Sequence, residues 1–163
     1  MTLEVRGAVL EDAAAIAAIY QPIVEQTIIS LEEVAPDTDE IRRRIETTTA
    51  SYPWIVACDG DDILGYAYAG RHRERAGYRY SVDVSVYVEE YARRTGVGTT
   101  LYSRLFAMLE ARNLHRAFAG ITLPNPASIA LHRRFGFSDV GVYREAGYKF
   151  GKWFDVMWLQ RAL

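Results

Sequence analysis

The run Ser85-Val86-Tyr87-Val88, five linking residues, and then Arg94-Thr95-Gly96-Val97-Gly98-Thr99 decides the fold. Upstream of the link, Tyr80 to Val88 is rich in β-branched and aromatic residues and reads as a strand. Downstream, Gly96 to Arg112 carries Val97, Leu101, Leu105, Met108 and Leu109 at helical spacing. The strand therefore enters a helix through a glycine-containing turn. Two glycines remove side chains where a ligand can approach the backbone, and the first helical turn leaves N–H groups without internal partners. With Arg93 and Arg94 beside it, such a turn suits an anion of pyrophosphate type.

Working outward, Ala117 to Leu123 reads as the next strand, so strand–helix–strand order around Gly96 implies a parallel crossover. Pro126 to Phe135 reads as a helix stopped by Gly136. Tyr143 to Tyr148 and Phe154 to Leu159 are two closing strands separated by Gly151. Upstream, Trp54 to Cys58, a Gly60-Asp61-Asp62 turn and Ile63 to Gly70 form a hairpin, joined to the Tyr80 strand by a polar loop, Arg71 to Arg79. The chain opens with a short strand around Leu3, Val5 and Ala8, followed by a helix over Glu11 to Val24. A more polar helix over Asp37 to Thr48 is expected near the surface. This order, βα-alternating at its centre, places the chain in the α/β class.

A chain of 163 residues, half of them apolar, suits one domain with one core spanning 1–163. The formal net charge of −2 comes from interspersed acids and bases, which gives no electrostatic case for nucleic acid or an anionic membrane. No apolar run approaches the ~18 residues of a membrane span, and Met1 to Arg6 lacks signal-peptide organisation. A reducing cytoplasm is the expected compartment, and the single Cys58, set in an apolar run, reads as a core residue.

Two common nucleotide-binding readings of the glycine turn fail. A dinucleotide fingerprint needs a third glycine where Leu101 stands, and a P-loop needs Gly-Lys-Ser/Thr, which is absent. The run from Ser85 to Thr99 instead resembles the acetyl-CoA site of GCN5-related acetyltransferases, whose pattern is Gln/Arg-x-x-Gly-x-Gly/Ala. Asn125-Pro126-Ala127-Ser128-Ile129-Ala130-Leu131-His132-Arg133-Arg134-Phe135-Gly136-Phe137 is similar to that family's asparagine-to-Gly-Phe helix. Tyr52-Pro53-Trp54, Gly65-Tyr66-Ala67-Tyr68-Ala69-Gly70, Leu131-His132 and Gly147 to Val156 narrow the resemblance to the phosphinothricin acetyltransferase branch, over nearly the whole chain.

That resemblance implies a mixed, twisted sheet of six or seven strands with helices on both faces and a CoA site where two central strands splay. It implies that acetyl-CoA is bound by the segment Val86, Tyr87, Val88, with Val86 and Val88 supplying backbone groups to the pantetheine arm. Arg94, Thr95, Gly96, Val97, Gly98 and Thr99 would wrap the pyrophosphate, and Asn125 would contact the arm farther along.

Amine acylation needs an unprotonated amine, a stabilised oxyanion and a proton for the departing thiolate; it requires no metal. Asp83 stands where the resembled branch has a glutamate proposed as general base. Being one methylene shorter, it is open to direct abstraction, relay through a water, or anchoring of the ammonium. His132 stands where many relatives in the wider superfamily have a tyrosine that can protonate the thiolate and where the resembled branch has a histidine, with Tyr102, Tyr143 and Tyr148 as alternative proton donors. Arg73 and Arg75 stand in the loop that, in the resembled family, contacts the acidic end of an amino-acid-like substrate, which a planar guanidinium can hold through two hydrogen bonds, and the resemblance adds Val82 and Asp83 to the expected substrate contacts.

The expected reaction is acetylation of the α-amine of phosphinothricin, methionine sulfoximine, methionine sulfone or a similar molecule. Acetylation of protein N-termini or another amine is the alternative, and a non-catalytic acyl-CoA sensor is the alternative of another class. Specialist relatives tend to read Lys-His-Gly-x-Trp-His-Asp where this chain has Lys149-Phe150-Gly151-Lys152-Trp153-Phe154-Asp155. The exchange of both histidines implies a more apolar pocket. Trp153, Phe154 and Trp158 could support a homodimer, as in resembled enzymes.

Overall fold

A computed structural model describes residues 1–163. Seven strands form one sheet: β1 (Leu3–Gly7), β2 (Trp54–Asp59), β3 (Asp62–Arg71), β4 (Ser81–Val88), β5 (Arg116–Thr122), β6 (Ser138–Lys149) and β7 (Lys152–Ala162). Their order across the sheet is β1-β2-β3-β4-β5-β7-β6, and β4–β5 is its one parallel pair. Four helices, α1 (Ala13–Gln26), α2 (Thr38–Thr49), α3 (Val97–Ala111) and α4 (Pro126–Arg134), cover the two faces.

Strand alternation sorts the side chains between those faces. On β4, Val82 and Val84 point into the larger core with Leu101, Leu105 and Leu109 of α3. Tyr87 turns the other way and packs against the second core, built from Ile16, Ile19, Tyr20, Ile23 and Val24 of α1 and Ile41 and Ile45 of α2. Cys58 is buried in that second core.

Local chemistry sets the ends of these elements. Asp37 caps α2 by accepting from the Glu40 N–H at 2.8 Å, and Asn125 caps α4 through Ser128 N–H at 3.1 Å, with Pro126 in its first turn. The first helix starts later than its apolar spacing suggests, because Leu10–Asp12 forms a tight 3₁₀ turn. Asp12 is spent there on Arg6, at 2.8 and 2.9 Å, and on the Val9 N–H at 2.8 Å.

The closing hairpin is much longer than the sequence pattern indicates. β6 and β7 meet in a two-residue turn, Phe150-Gly151, with φ of +52° and +71°. The β6 register breaks between Asp139 and Gly141 and again between Tyr143 and Gly147. At the second break the Asp155 carboxylate accepts from the Glu145 N–H at 2.8 Å and from Arg144 at 2.9 Å. Those interruptions destroy the two-residue periodicity by which the strand would otherwise have been recognised.

Candidate active site

β4 and β5 pair only over Ser81–Asp83 and Arg116–Phe118, and beyond these residues they part. The hydrogen bond from Glu89 N–H to Leu64 C=O, 2.8 Å, fixes the parity of the β3–β4 ladder. By antiparallel alternation, Asp83, Ser85 and Tyr87 bond to β3, whereas Val84, Val86 and Val88 turn their N–H and C=O groups toward the gap. The Val88 carbonyl accepts from Arg93 Nε at 3.4 Å. Tyr87 also lines the slot. The remaining walls include Ala119, Gly120 and Ile121 of β5, Tyr102, Asn125, Ser128 and His132, with Ile29 of the α1–α2 loop above.

At one end of this slot lies the turn into α3. Arg94 and Gly96 both take positive φ, +63° and +93°, which coils the backbone into a concave nest of N–H groups. None of the N–H groups of Arg94, Thr95, Gly96, Val97, Gly98 and Thr99 has a partner within the chain; the first helical bond is Thr100 N–H to Gly96 C=O at 2.9 Å. A continuous run of free donors at a helix N-terminus, flanked by arginines, fits a pyrophosphate.

His132, on α4, is 4% exposed. Its Nδ1–H donates to the Ser128 carbonyl at 2.7 Å, which leaves Nε2 to accept from the Tyr102 hydroxyl at 2.8 Å. Burial holds the imidazole pKa below its usual value and raises that of the Tyr102 hydroxyl, so the pair is neutral and hydrogen-bonded. The hydroxyl, rather than the imidazole, carries the mobile proton in this arrangement. Asn125 spends its carbonyl on the α4 cap, and its NH₂ group makes no bond within the chain.

At the other end stands Asp83, whose Oδ1 receives a 2.6 Å hydrogen bond from His72 Nδ1. Burial raises the Asp83 pKa, opposed by His72 and by the charge of Arg73. His72 was not among the sequence candidates. Its signal lies in the register: Gly70 pairs with Asp83, so His72, two residues farther on, falls beside that carboxylate on the same face.

Other sequence expectations separate here. The Val82 side chain is wholly buried beneath α3, on the face opposite Asp83, because neighbouring strand residues alternate. Arg73 is exposed, bonded to the His72 carbonyl at 2.9 Å, and close enough to act on Asp83; Arg75 is exposed with no side-chain bond to the chain. Of the Arg71–Arg79 stretch only His72 is partly buried, against Asp83; the rest is exposed. The roof is the α1–α2 loop, whose Thr27 and Ser30 carbonyls accept from the buried Lys149 Nζ at 2.8 and 2.7 Å. Leu31 of that loop packs so closely on Gly147 that a Cβ there would lie 2.7 Å from Leu31 Cδ1. Phe150 sits exposed at the hairpin turn, outside the residues that line the slot.

A domain model described as an acetyltransferase (GNAT) domain matches residues 5–158. The chain belongs to the GNAT acetyltransferase family. It is 42% identical to a phosphinothricin N-acetyltransferase of Streptomyces coelicolor, across 99% of this chain and 96% of that one. It is 36% identical to an L-methionine sulfoximine/L-methionine sulfone acetyltransferase of Pseudomonas aeruginosa, covering 98% and 94% of the two chains. A phosphinothricin acetyltransferase from Sinorhizobium meliloti, solved in complex with acetyl-CoA, superposes with a TM-score of 0.96 at 38% identity, over 100% of this chain and 89% of its own. This GNAT acetyltransferase therefore has the α/β architecture that the glycine turn and the Asn125 helix implied.

Proposed function

We propose that this GNAT enzyme transfers an acetyl group from acetyl-CoA to the α-amine of a small amino-acid analogue such as phosphinothricin, methionine sulfoximine or methionine sulfone. One observation carries the reading: the β4–β5 gap runs from a nest of free N–H donors to a half-buried carboxylate–imidazole pair. An anionic cosubstrate and a cationic amine are thereby drawn to opposite ends of one slot. Acetyl-CoA supplies the acetyl group as an activated thioester. Arg94 to Thr99 hold its pyrophosphate, Val86 and Val88 bond its pantetheine arm as an added strand would, and the free Asn125 amide reaches the arm farther along.

The Asp83–His72 pair binds the ammonium and removes its proton. On the sulfur side, the Tyr102 hydroxyl rests on His132 Nε2 and gives its one proton to the departing thiolate by turning away from that acceptor. Arg73 and Arg75 offer the planar, multi-donor groups that recognise a carboxylate or phosphinate. The α1–α2 roof, tied down by Lys149 and Leu31, favours a small acceptor over a polypeptide. The reading includes a cytoplasmic enzyme and a homodimer, supported for the latter by the 61% exposed Trp153 on β7.

The test is a thiol-release assay with acetyl-CoA across amino acids, their sulfone and sulfoximine analogues, phosphinothricin and N-terminal peptides. The expected outcome is the highest kcat/KM for an α-amino-acid analogue. Preference for peptides would favour acetylation of protein N-termini, and CoA binding with no amine-dependent thiol release would favour a sensor.

A further inference from the structure

We infer that His72 takes the proton from the acceptor amine through its Nε2, and that Asp83 is the positioning residue that holds the imidazole by Nδ1–H. The inference rests on the acetyl-transfer reading above and adds the identity of the proton-accepting atom. Asp83 is a methylene shorter than the glutamate its position resembles, and its Oδ1 is already committed to His72 at 2.6 Å. The imidazole extends the reach of the short carboxylate. Its ring is fixed by stacking on Phe118 of β5, with centroids 4.0 Å apart and planes at 11°. Tyr78 and Trp158 meet it edge-on at 6.0 and 6.2 Å.

Nε2 is the free atom of this arrangement. It makes no hydrogen bond within the chain, and the only buried side-chain polar atoms without partners are Trp54 Nε1 and Trp158 Nε1, so Nε2 is open to solvent. The ring stands next to the slot: Trp158, at the edge of the His72 ring, lies over Gly120, a slot-lining residue whose Cβ would come within 3.0 Å of the indole. The titratable groups facing the imidazole are Asp83 from β4, Arg73 beside it and Tyr78 of the following turn; Phe118 and Trp158 add no charge. A carboxylate that accepts from Nδ1–H fixes the tautomer in which Nε2 is a base.

The step balances without a further reactant. His72 Nε2 takes one proton from the ammonium, the freed nitrogen lone pair forms the bond to the acetyl carbonyl carbon, and the carbon–sulfur bond breaks with its electrons going to sulfur. Nitrogen loses a second proton as the amide forms and the thiolate gains one, so the net proton released leaves from His72 to solvent.

The test compares wild type with His72→Phe, His72→Gln and Asp83→Asn. It reads acetyl-CoA affinity by calorimetry, and kcat and kcat/KM for the amine from pH 5.5 to 10. His72→Phe keeps the stacking on Phe118, and His72→Gln keeps a donor for Asp83, so one variant guards against misfolding of the other. Both should bind acetyl-CoA within about 2-fold of wild type and lose roughly 10²- to 10⁴-fold in kcat, the usual contribution of a positioned base. Their kcat/KM should then rise in proportion to free amine as pH increases, the enzyme's own acid limb having gone. Asp83→Asn should keep that limb but shift it, with a smaller fall in kcat. Wild-type kcat and acid limb in both His72 variants would overturn the assignment alone. A wild-type enzyme that releases no thiol with any amine would overturn the acetyl-transfer reading and the assignment with it.

Discussion

Gly98→Ala separates what the fold needs from what the ligand needs. A Cβ built at Gly98 meets only Leu131 Cδ2 and Val88 Cγ2, each at 3.7 Å, which is ordinary contact. The residue lies in the first turn of α3 and lacks the positive φ that Gly96 requires. Alanine is favoured over glycine in a helix by up to about 1 kcal/mol. The variant should therefore be at least as stable as wild type, with Tm unchanged to about 4 °C higher. The glycine is thus retained at a cost to the helix, and the nest gives the reason.

The added methyl stands beside one of the free N–H groups of Arg94 to Thr99. Losing one hydrogen bond to a charged group removes about 1.5–3 kcal/mol, so acetyl-CoA affinity should fall roughly 10- to 150-fold. Calorimetric titration of folded Gly98→Ala with acetyl-CoA, beside its melting curve, gives both numbers. Wild-type affinity would refute the reasoning, since the backbone approach would then be unnecessary. Gly96→Ala is the control: with φ of +93° it should lose stability and affinity together.

Tyr102→Phe leaves the buried His132 Nε2 without its donor; kcat should fall about 10²-fold or more with acetyl-CoA affinity retained, and unchanged turnover would place the thiolate's proton elsewhere. Gly65→Ala would bring a Cβ to 2.8 Å from the Tyr87 carbonyl and 3.1 Å from Val97 Cγ1, so urea denaturation should show a loss of about 1–3 kcal/mol. The Arg6 hydrogen bonds hold the Asp12 pKa below its unfolded value, so this contribution is present above about pH 4 and is lost as pH falls through the folded pKa. Asp12→Asn should lose about 1.5–3 kcal/mol at pH 7 and little at pH 2, read from denaturation at both.

The helices and central strands were legible because single faces carry them. Ile16, Ile19, Tyr20 and Ile23 repeat at helical spacing and are all buried in one core, as are Leu101, Leu105 and Leu109 in the other. β6 was read as half its length because its outward residues are exposed and its register slips twice. Asn125, His132 and the Gly96 turn were legible for a different reason: each lies in a contiguous run whose order alone carries the resemblance. Val82 and Asp83 are adjacent in sequence, yet their side chains face opposite sides of the sheet. His72 was invisible for the converse reason. It belongs with Asp83, eleven positions away, only through the β3–β4 register, and nothing local marks which residue of β3 lies opposite the carboxylate.

The coincidence of gap, anion nest and amine site follows from one topological fact. A parallel strand pair needs a crossover, and the crossover helix must start at the carboxyl ends of the strands it joins. α3 does so directly after β4, so its free N–H groups lie at the end where β4 and β5 have separated. The strands stay paired at the opposite end, and Asp83 and Phe118 are the last pair before they part. A carboxylate at Asp83 and a ring stacked on Phe118 are therefore fixed at the closed head of the slot. Ladder bonds hold this head rigid, whereas the open end keeps its backbone groups unpaired for a ligand. Moving the dyad one residue along β4 would turn it to the α3 face and into the apolar core, so the register that closes the sheet also sets which side the amine must enter from.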